Sequence, residues 1–453
     1  MKYPAFALAM LSLSLALAAQ AMTQPEPRGA EVVASRFFAL FIAKDPAFAS
    51  LMNDRMRAAF GAPQAGAAVD QLAAKGGGFQ GFEAVKVTPT DGMDVVTLTG
   101  TYERMLVDFS VTIDQEGRVA GFYVVKIRSR VPWTLPPYAK AGSWTDEELS
   151  VGAEGWPLPG TLSLPRGSGP FPALVLVHGS GPNDRDESIG PNKVFADIAA
   201  GLASRGIAVL RYDKRTFVFK DKIVSRLAEF GVKDETVDDA VAALALLAKD
   251  PRIDGRRIFI VGHSLGAMLG PMIASEAEAR GLRVAGLVLL APNARPLEDV
   301  IVDQIRYLAK IEAPGKVEAA SQVAAIEAAA ARVKTLAAKA SPADPSPELL
   351  PLGIGAYWWR SLQAYEPVAA ARALGLPLLV IHGSRDYQVM ASEAALWKTG
   401  LKGLSKARPM VIKGLNHLMM KGSGIATPAE YEEPGHVDRA VIDAMAAFLI
   451  GGR

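Results

Sequence analysis

One stretch of the chain has the residue types and spacing for nucleophilic chemistry. It is Gly262-His263-Ser264-Leu265-Gly266, which lies between the apolar run Ile258–Val261 and an apolar segment opening with Ala267-Met268. A serine on a very tight strand-to-helix turn has a strained backbone, so its neighbours two positions away must lack side chains that would clash. Such a turn lifts Oγ clear of a sheet, and the helix that follows aims free N–H groups at a developing oxyanion. The bare Gly-x-Ser-x-Gly pattern is weak in a chain with 42 glycines, where an ordinary Gly-rich loop can produce it. The strand-like run before it and the helical pattern after it carry the reading, and the pattern occurs nowhere else in the chain.

A serine hydroxyl is a poor nucleophile near neutral pH. It needs a base, and the base needs an acid to orient it. Five histidines are present: His178, His263, His382, His417 and His436. For a serine on this kind of turn the acid and then the histidine follow it along the chain, which leaves His382, His417 and His436. His417 stands just past the last strand-like run and is the expected base. His382 ends a strand-like run and reads as a packed histidine, and His436 sits in a turn after Pro434-Gly435. Asp386, in Gly383-Ser384-Arg385-Asp386, is the expected acid. Turn capping is its alternative role, and Glu298 and Asp438 are weaker candidates for the acid. A second oxyanion donor should come from the loop His178-Gly179-Ser180-Gly181-Pro182, so the N–H groups of Ser180 and Leu265 are expected to form the hole. His178 reads as structural, and the charges from Asp184 to Glu187 read as ties that hold the loop down, with binding of a polar leaving group as the alternative.

These side chains are far apart in sequence, so a scaffold must bring them together. From about residue 145, strand-like apolar runs alternate with amphipathic segments: Ala173–Val177, Ala208–Tyr212, Ile258–Val261, Val284–Leu290, Leu378–Ile381 and Pro409–Ile412. Continuous apolar strands separated by helices predict an α/β fold with a mostly parallel, doubly wound sheet covered on both faces. Residues 293–367 break the rhythm with an Ala-rich helical insertion, including 316–339, followed by a Pro-rich loop. Val323, Ile326, Ala330 and Val333 sit at helical spacing on it. We read the insertion as a lid, with a surface excursion of no role as the alternative. Upstream, 29–127 reads as a small α+β domain: helical spacing over Glu31–Ile42, then four strand-like runs and a hairpin turn at Asp114–Gly117. A Pro/Trp linker, 128–144, joins it to the catalytic region at 145–453.

Composition sets further bounds. A chain of 453 residues, 50% hydrophobic, is long enough for two or three domains. With 49 basic and 47 acidic residues the net charge of +2 argues against a nucleic-acid partner. The absence of cysteine excludes disulfides, thiolate metal sites and cysteine nucleophiles, and nothing calls for a cofactor or metal. Residues 1–21 read as a signal peptide: Met1-Lys2, an apolar run Ala5–Ala19 too short to span a bilayer, and the small-x-small site Ala19-Gln20-Ala21. The mature chain is then expected to be exported, to a periplasm or the medium, without stable membrane insertion.

Taken together, the motifs from about residue 145 onward resemble a bacterial serine carboxylesterase of the α/β-hydrolase superfamily, in the serine aminopeptidase-like branch. The matching pieces are His178–Pro182 with Asp184-Arg185-Asp186-Glu187, Arg211-Tyr212-Asp213-Lys214-Arg215, Gly262–Gly266, Arg385–Val389 and Asn416-His417. Thr216 departs from the pattern, which has glycine there. Residues 29–125 are similar to the nuclear-transport-factor-like domain of unknown function that precedes such esterases. The resemblance implies a small-molecule ester substrate with a short acyl chain, cleaved through an acyl-enzyme on Ser264. Tyr357, Trp358 and Trp359 of the insertion are candidates for an apolar acyl or alcohol pocket, with a role in the insertion's own core as the alternative. A peptidase or amidase using the same three residues, or a non-catalytic binding protein, are the competing readings. The natural substrate and oligomeric state stay open.

Overall fold

The computed structural model describes residues 29–224, 226–339 and 344–451, and the expected signal segment lies outside them. Between Val131 and Pro132 the chain divides into two compact units.

The first unit packs helices α1 (Gly29–Ile42), α2 (Asp54–Ala59) and α3 (Ala62–Gly76) with four antiparallel strands in sequential order: β1 (Phe79–Thr90), β2 (Met93–Tyr102), β3 (Met105–Ile113) and β4 (Val119–Ser129). Local chemistry sets the boundaries. Asn53 caps α2 by accepting the Met56 N–H at 2.9 Å. Asp114 closes the β3–β4 hairpin by accepting the N–H groups of Glu116 and Arg118, while Gly117 takes φ 73°. Phe37, Phe38 and Phe41 of α1 meet Phe109 and Phe122 of the sheet, with Phe38 and Phe109 centroids 4.6 Å apart. Among the described residues, the buried polar side chains of this unit are Thr99 and Ser110.

The second unit is built on an eight-stranded sheet. Its strands are β5 (Trp144–Val151), β6 (Leu158–Pro165), β7 (Phe171–Val177), β8 (Ala208–Tyr212), β9 (Ile253–His263), β10 (Gly286–Leu290), β11 (Leu378–Gly383) and β12 (Ala407–Ile412). Their spatial order is β12-β11-β10-β9-β7-β8-β6-β5. From β7 to β12 neighbouring strands run parallel, and β6 and β5 join antiparallel at one edge. The six parallel strands fall where apolar runs predict them; β7, β8, β10, β11 and the Ile258–His263 part of β9 are covered on both faces, whereas edge strand β12 is not, with Met410 and Val411 exposed. Leu174 and Leu176 enter one core, while Ala173, Val175 and Val177 enter the other. Helix α4 (Val194–Ala203) and the C-terminal helix Arg439–Gly451 supply the first core. Helices α5 (Asp238–Lys249) and α6 (Leu265–Ala279) supply the second. The edge strands β5 and β6 were not among the expected runs: β5 alternates exposed, polar positions with covered ones, as a solvent-facing edge does.

The insertion holds α7 (Leu297–Glu312), α8 (Val317–Lys334) and a short helix at Ala356–Arg360. Helix α8 ends at Lys334, short of the expected 339. Ala330 and Val333 are buried, and Val323 and Ile326 half-buried. The insertion is tied to the sheet unit by Tyr365 Oη, which donates to Met268 O at 2.8 Å, and by Ser361 Oγ, which accepts the Val232 N–H at 3.0 Å. Among the described residues, no helix is long and apolar enough to cross a membrane.

Candidate active site

Strand β9 delivers Ser264 to the N-terminus of α6 at φ 53°, ψ −118°, a left-handed conformation that costs a non-glycine residue energy. The flanking glycines show why it is tolerated. A Cβ on Gly262 would lie 2.2 Å from the Gly266 carbonyl oxygen, and one on Gly266 would lie 2.2 Å from that of Val177. The turn is pinned by its own backbone: Ser264 N–H donates to Leu290 O at 2.9 Å, and Ser264 O accepts the Met268 N–H at 2.9 Å.

His417 and Asp386 come from the loops after β12 and β11. Nδ1 of His417 lies 2.7 Å from Asp386 Oδ2, and both side chains are buried. The other oxygen, Oδ1, accepts the N–H groups of Gln388 and Val389 at 2.9 and 2.8 Å. Turn capping and the contact with His417 therefore coexist on Asp386, one on each oxygen. An Nδ1–H donated to Asp386 leaves His417 Nε2 as the basic atom. Asn416 shapes the loop by accepting the N–H groups of Leu418 and Met420, both at 3.1 Å. Ser264 Oγ and His417 Nε2 are not hydrogen-bonded to each other in this structure. The link between their segments runs instead through His263, whose Nε2–H donates to His417 O at 2.9 Å and whose ring centroid lies 4.8 Å from that of His417.

The loop after β7 passes directly over Ser264, since a Cβ on Gly179 would lie 3.2 Å from Ser264 Cβ. Among the described residues the N–H groups of Ser180 and Leu265 have no acceptor, so both are available to a ligand oxygen. The charges of this loop are all engaged. Arg185 pairs with Asp213 and Glu148, Asp186 with Arg211 and Lys193, and Glu187 with His263 at 2.8 Å. Glu187 also accepts the Gly179 N–H at 2.7 Å. Burial pushes the Glu187 carboxyl up, but the His263 imidazolium outweighs it and holds the group below its ordinary range. Burial likewise disfavours charge on His263, and the Glu187 carboxylate reverses this, so the His263 pKa is raised. The directions agree on an ion pair. Its geometry is imperfect, because the Nδ1–H does not point squarely at Oε2 and neither atom has a better partner among the described residues. Asp186 is held low as well: burial opposes its charge, and Arg211 and Lys193 prevail.

Other expected positions sort as follows. His178 is buried, its Nε2–H donates to Asp184 O at 3.0 Å, and burial drives its pKa down to about 4. His382 is buried against Pro292 O, and His436 pairs with Asp197. Glu298 begins α7, and Asp438 caps the C-terminal helix by accepting the Ala440 N–H. Trp358 and Trp359 are buried in the main core, whereas Tyr357 is 40% exposed, so the three aromatic residues do not present one common surface. Trp358 is turned inward by its indole N–H, which donates to Glu235 Oε2 at 2.5 Å. Thr216, where glycine was expected, sits in a short helix and reaches Gly181 O at 3.5 Å. Glu187 ties the loop down as expected, but its partner His263, and Lys214 and Glu235, are given no role by the sequence. All but Glu235 lie within quoted motifs, which was the only signal available for them. Among the described residues, no group of three or more His, Cys, Asp or Glu side chains is arranged to hold a metal ion.

Residues 174–432 match the model of the family described as "Alpha/beta hydrolase family", and residues 34–122 match "Protein of unknown function (DUF3887)". The chain is 40% identical over 357 residues to the esterase EstD of Thermotoga maritima, covering 79% of this chain and 80% of that one. Among solved structures it is similar to Est1E from Butyrivibrio proteoclasticus, at 16% identity and a TM-score of 0.43, over 67% of this chain and 98% of that one. An esterase of Pyrobaculum calidifontis matches at 19% identity and a TM-score of 0.42, over 68% and 86%.

Proposed function

This chain belongs to the alpha/beta hydrolase family and is a carboxylesterase, and from that premise we propose that it is exported and cleaves short-chain carboxylic esters through an acyl-enzyme on Ser264. The observation that carries the reading is the 2.7 Å contact between His417 Nδ1 and Asp386 Oδ2, formed beside a serine held at positive φ at a helix N-terminus. Ser264 Oγ attacks the ester carbonyl carbon while His417 Nε2 accepts its proton. The N–H groups of Ser180 and Leu265 receive the oxyanion as it forms. Collapse of the tetrahedral intermediate breaks the ester C–O bond, and His417 returns the proton to the departing alkoxide. Water, deprotonated by the same nitrogen, then cleaves the acyl-enzyme and regenerates Ser264. Asp386 stays ionised and stabilises the imidazolium formed in each half-reaction. The hydroxyl and imidazole close their hydrogen bond when substrate fills the site, as catalytic contacts that are open in a ligand-free enzyme do.

Export rests on residues 1–21, with their short basic start, apolar run and small-x-small site. The reading is tested by treating wild type and Ser264→Ala with a fluorophosphonate and with p-nitrophenyl acetate. Wild type should take up one label and turn over the ester, and the variant should do neither. A variant that still labels and turns over sinks the scheme. A series of p-nitrophenyl esters sets the acyl length, matched ester and amide substrates separate esterase from amidase, and fractionation of the producing cells locates the protein.

A further inference from the structure

We propose that Lys214 is a positioning residue that aims the Ser180 N–H at the oxyanion, and that Trp358 of the insertion acts on the same peptide through Glu235. The inference rests on the reading of Ser180 as an oxyanion donor. A trans peptide is planar, and its C=O and N–H point in opposite directions. Whatever grips the Gly179 carbonyl therefore aims the Ser180 N–H. The Lys214 ammonium donates to that carbonyl at 2.8 Å from a fully enclosed position. Asn183 Nδ2 adds weaker bonds to the carbonyls of Gly179, Ser180 and Gly181 at 3.2–3.3 Å. The carbonyls of this short loop are thus gathered on one side, and the Ser180 N–H is left facing the other.

Charge adds to orientation. A buried cation on the carbonyl end of a peptide polarises it, which makes the N–H at the other end a stronger donor. A buried lysine is otherwise hard to account for, because apolar residues fill such space with less desolvation. Its counter-ion is Glu235, whose Oε1 lies 2.7 Å from Nζ. Glu235 stands on a single π-turn, Lys233–Val237, an irregularity often found at functional sites. Its second oxygen receives the Trp358 indole N–H at 2.5 Å. That bond shares out the carboxylate's charge. Without it, Glu235 would draw the ammonium toward itself and away from Gly179 O. A side chain of the insertion is in this way three contacts from the oxyanion site: indole to carboxylate, carboxylate to ammonium, ammonium to carbonyl.

The test uses the full chain in three variants: Lys214→Met/Glu235→Gln, which removes both charges together, Trp358→Phe, which removes one N–H and keeps a ring, and Ser264→Ala. For each, kcat and KM on p-nitrophenyl acetate are measured. So is the inhibition constant of an alkyl boronic acid, which becomes a tetrahedral anion on the nucleophile, and so is thermal unfolding. The double variant should stay folded, lose about 100-fold in kcat with KM within about twofold, and bind the boronate weaker by the same factor. Trp358→Phe should give the same pattern at roughly 3–10-fold, and it decides the matter if the double variant does not fold. Folded variants with wild-type kcat and wild-type boronate affinity overturn the relay while leaving Ser264 chemistry standing. A fall in kcat without the matching loss of boronate affinity also overturns it, since a merely structural defect would do that. Turnover surviving in Ser264→Ala overturns both the relay and the reading it rests on.

Discussion

On one side of the site, Gly179 is gripped by charge. Its N–H goes to Glu187, which is paired with His263, and its carbonyl goes to Lys214, which is paired with Glu235. On the other side, His417 itself takes one carboxylate contact, its loop is ordered by Asp386 Oδ1 and Asn416 Oδ1 accepting backbone N–H groups, and the ion pair of that side, Arg385 with Glu430, is only partly enclosed and reaches the loop through Asn416 Nδ2. The first arrangement is stiff and self-contained, since each buried charge loses its compensation if its partner goes. The second puts one carboxylate, that of Asp386, against the imidazole. On the proposed roles an oxyanion donor must hold still and a general base must change state, and each arrangement suits its own. The N-terminal unit sharpens the contrast. Its buried polar side chains among the described residues are uncharged, so buried ion pairs are a property of the catalytic unit and not of the chain at large.

The comparison can be broken at either side. The largest effect should come from Asp386→Asn. Asparagine keeps an acceptor for Gln388 and Val389, so the loop and the melting temperature should survive, but it cannot fix the Nδ1–H tautomer. Turnover of p-nitrophenyl acetate should fall by about 10⁴-fold. A melting temperature that collapses along with activity would show that the acid–base side also depends on charge for its fold. Glu187→Gln should do the reverse and act first on stability. It leaves the buried His263 cation uncompensated and should cost about 3–5 kcal/mol in denaturant unfolding, with activity lost as the loop loosens. A loss under about 1 kcal/mol would remove the distinction drawn here, because that is the scale of an exposed pair.

The same pair predicts a pH window. The raised His263 pKa contributes stability that is full below about 6.5 and lost as pH rises through the folded value. The depressed Glu187 pKa contributes stability that is full above about 4.3 and lost as pH falls through its folded value. Between those limits the pair contributes in full. The alkaline decline of the wild-type melting curve should therefore be flatter in Glu187→Gln. His178 works in the opposite sense. Its pKa is lowered to about 4 by burial, so its contribution is full above the unfolded value and is lost as pH falls. At about 1.4 kcal/mol per pH unit this amounts to roughly 3 kcal/mol between about pH 6.5 and 4. His178→Gln, which keeps a donor for Asp184 O, should flatten the acid limb of the unfolding curve, and parallel limbs would reject the assignment. The smallest effect should come from Asn416→Ala. It strands two backbone N–H groups and should destabilise by about 1–3 kcal/mol, with turnover falling as the His417 loop loosens.

Much of the catalytic unit could be read directly from sequence, and what could not has a common cause. The inner parallel strands announce themselves as apolar runs because burial on both faces demands it, and edge strand β12 is apolar although Met410 and Val411 are exposed. Edge strand β5 does not, since its polar, alternating residues resemble loop. The serine turn is legible because its sterics act over five residues. Asp386 could be assigned by its place after a strand, but its double duty could not, because Oδ1 serves neighbours two and three residues away while Oδ2 serves a histidine from the next loop. From sequence Trp358 is a pocket candidate, with a place in the insertion's own core as the alternative. Its inward turn depends on Glu235, a partner 123 positions away.

The sequence by itself determined the elements whose causes are local: the strained turn at Ser264 with its two obligatory glycines, and the apolar strands that must be covered. Only the tertiary structure decided which buried charge meets which, because Coulomb attraction and desolvation depend on distance through space and carry no trace in spacing along the chain. Glu187 to His263 and Lys214 to Glu235 are such pairings, and they hold the loop that faces Ser264.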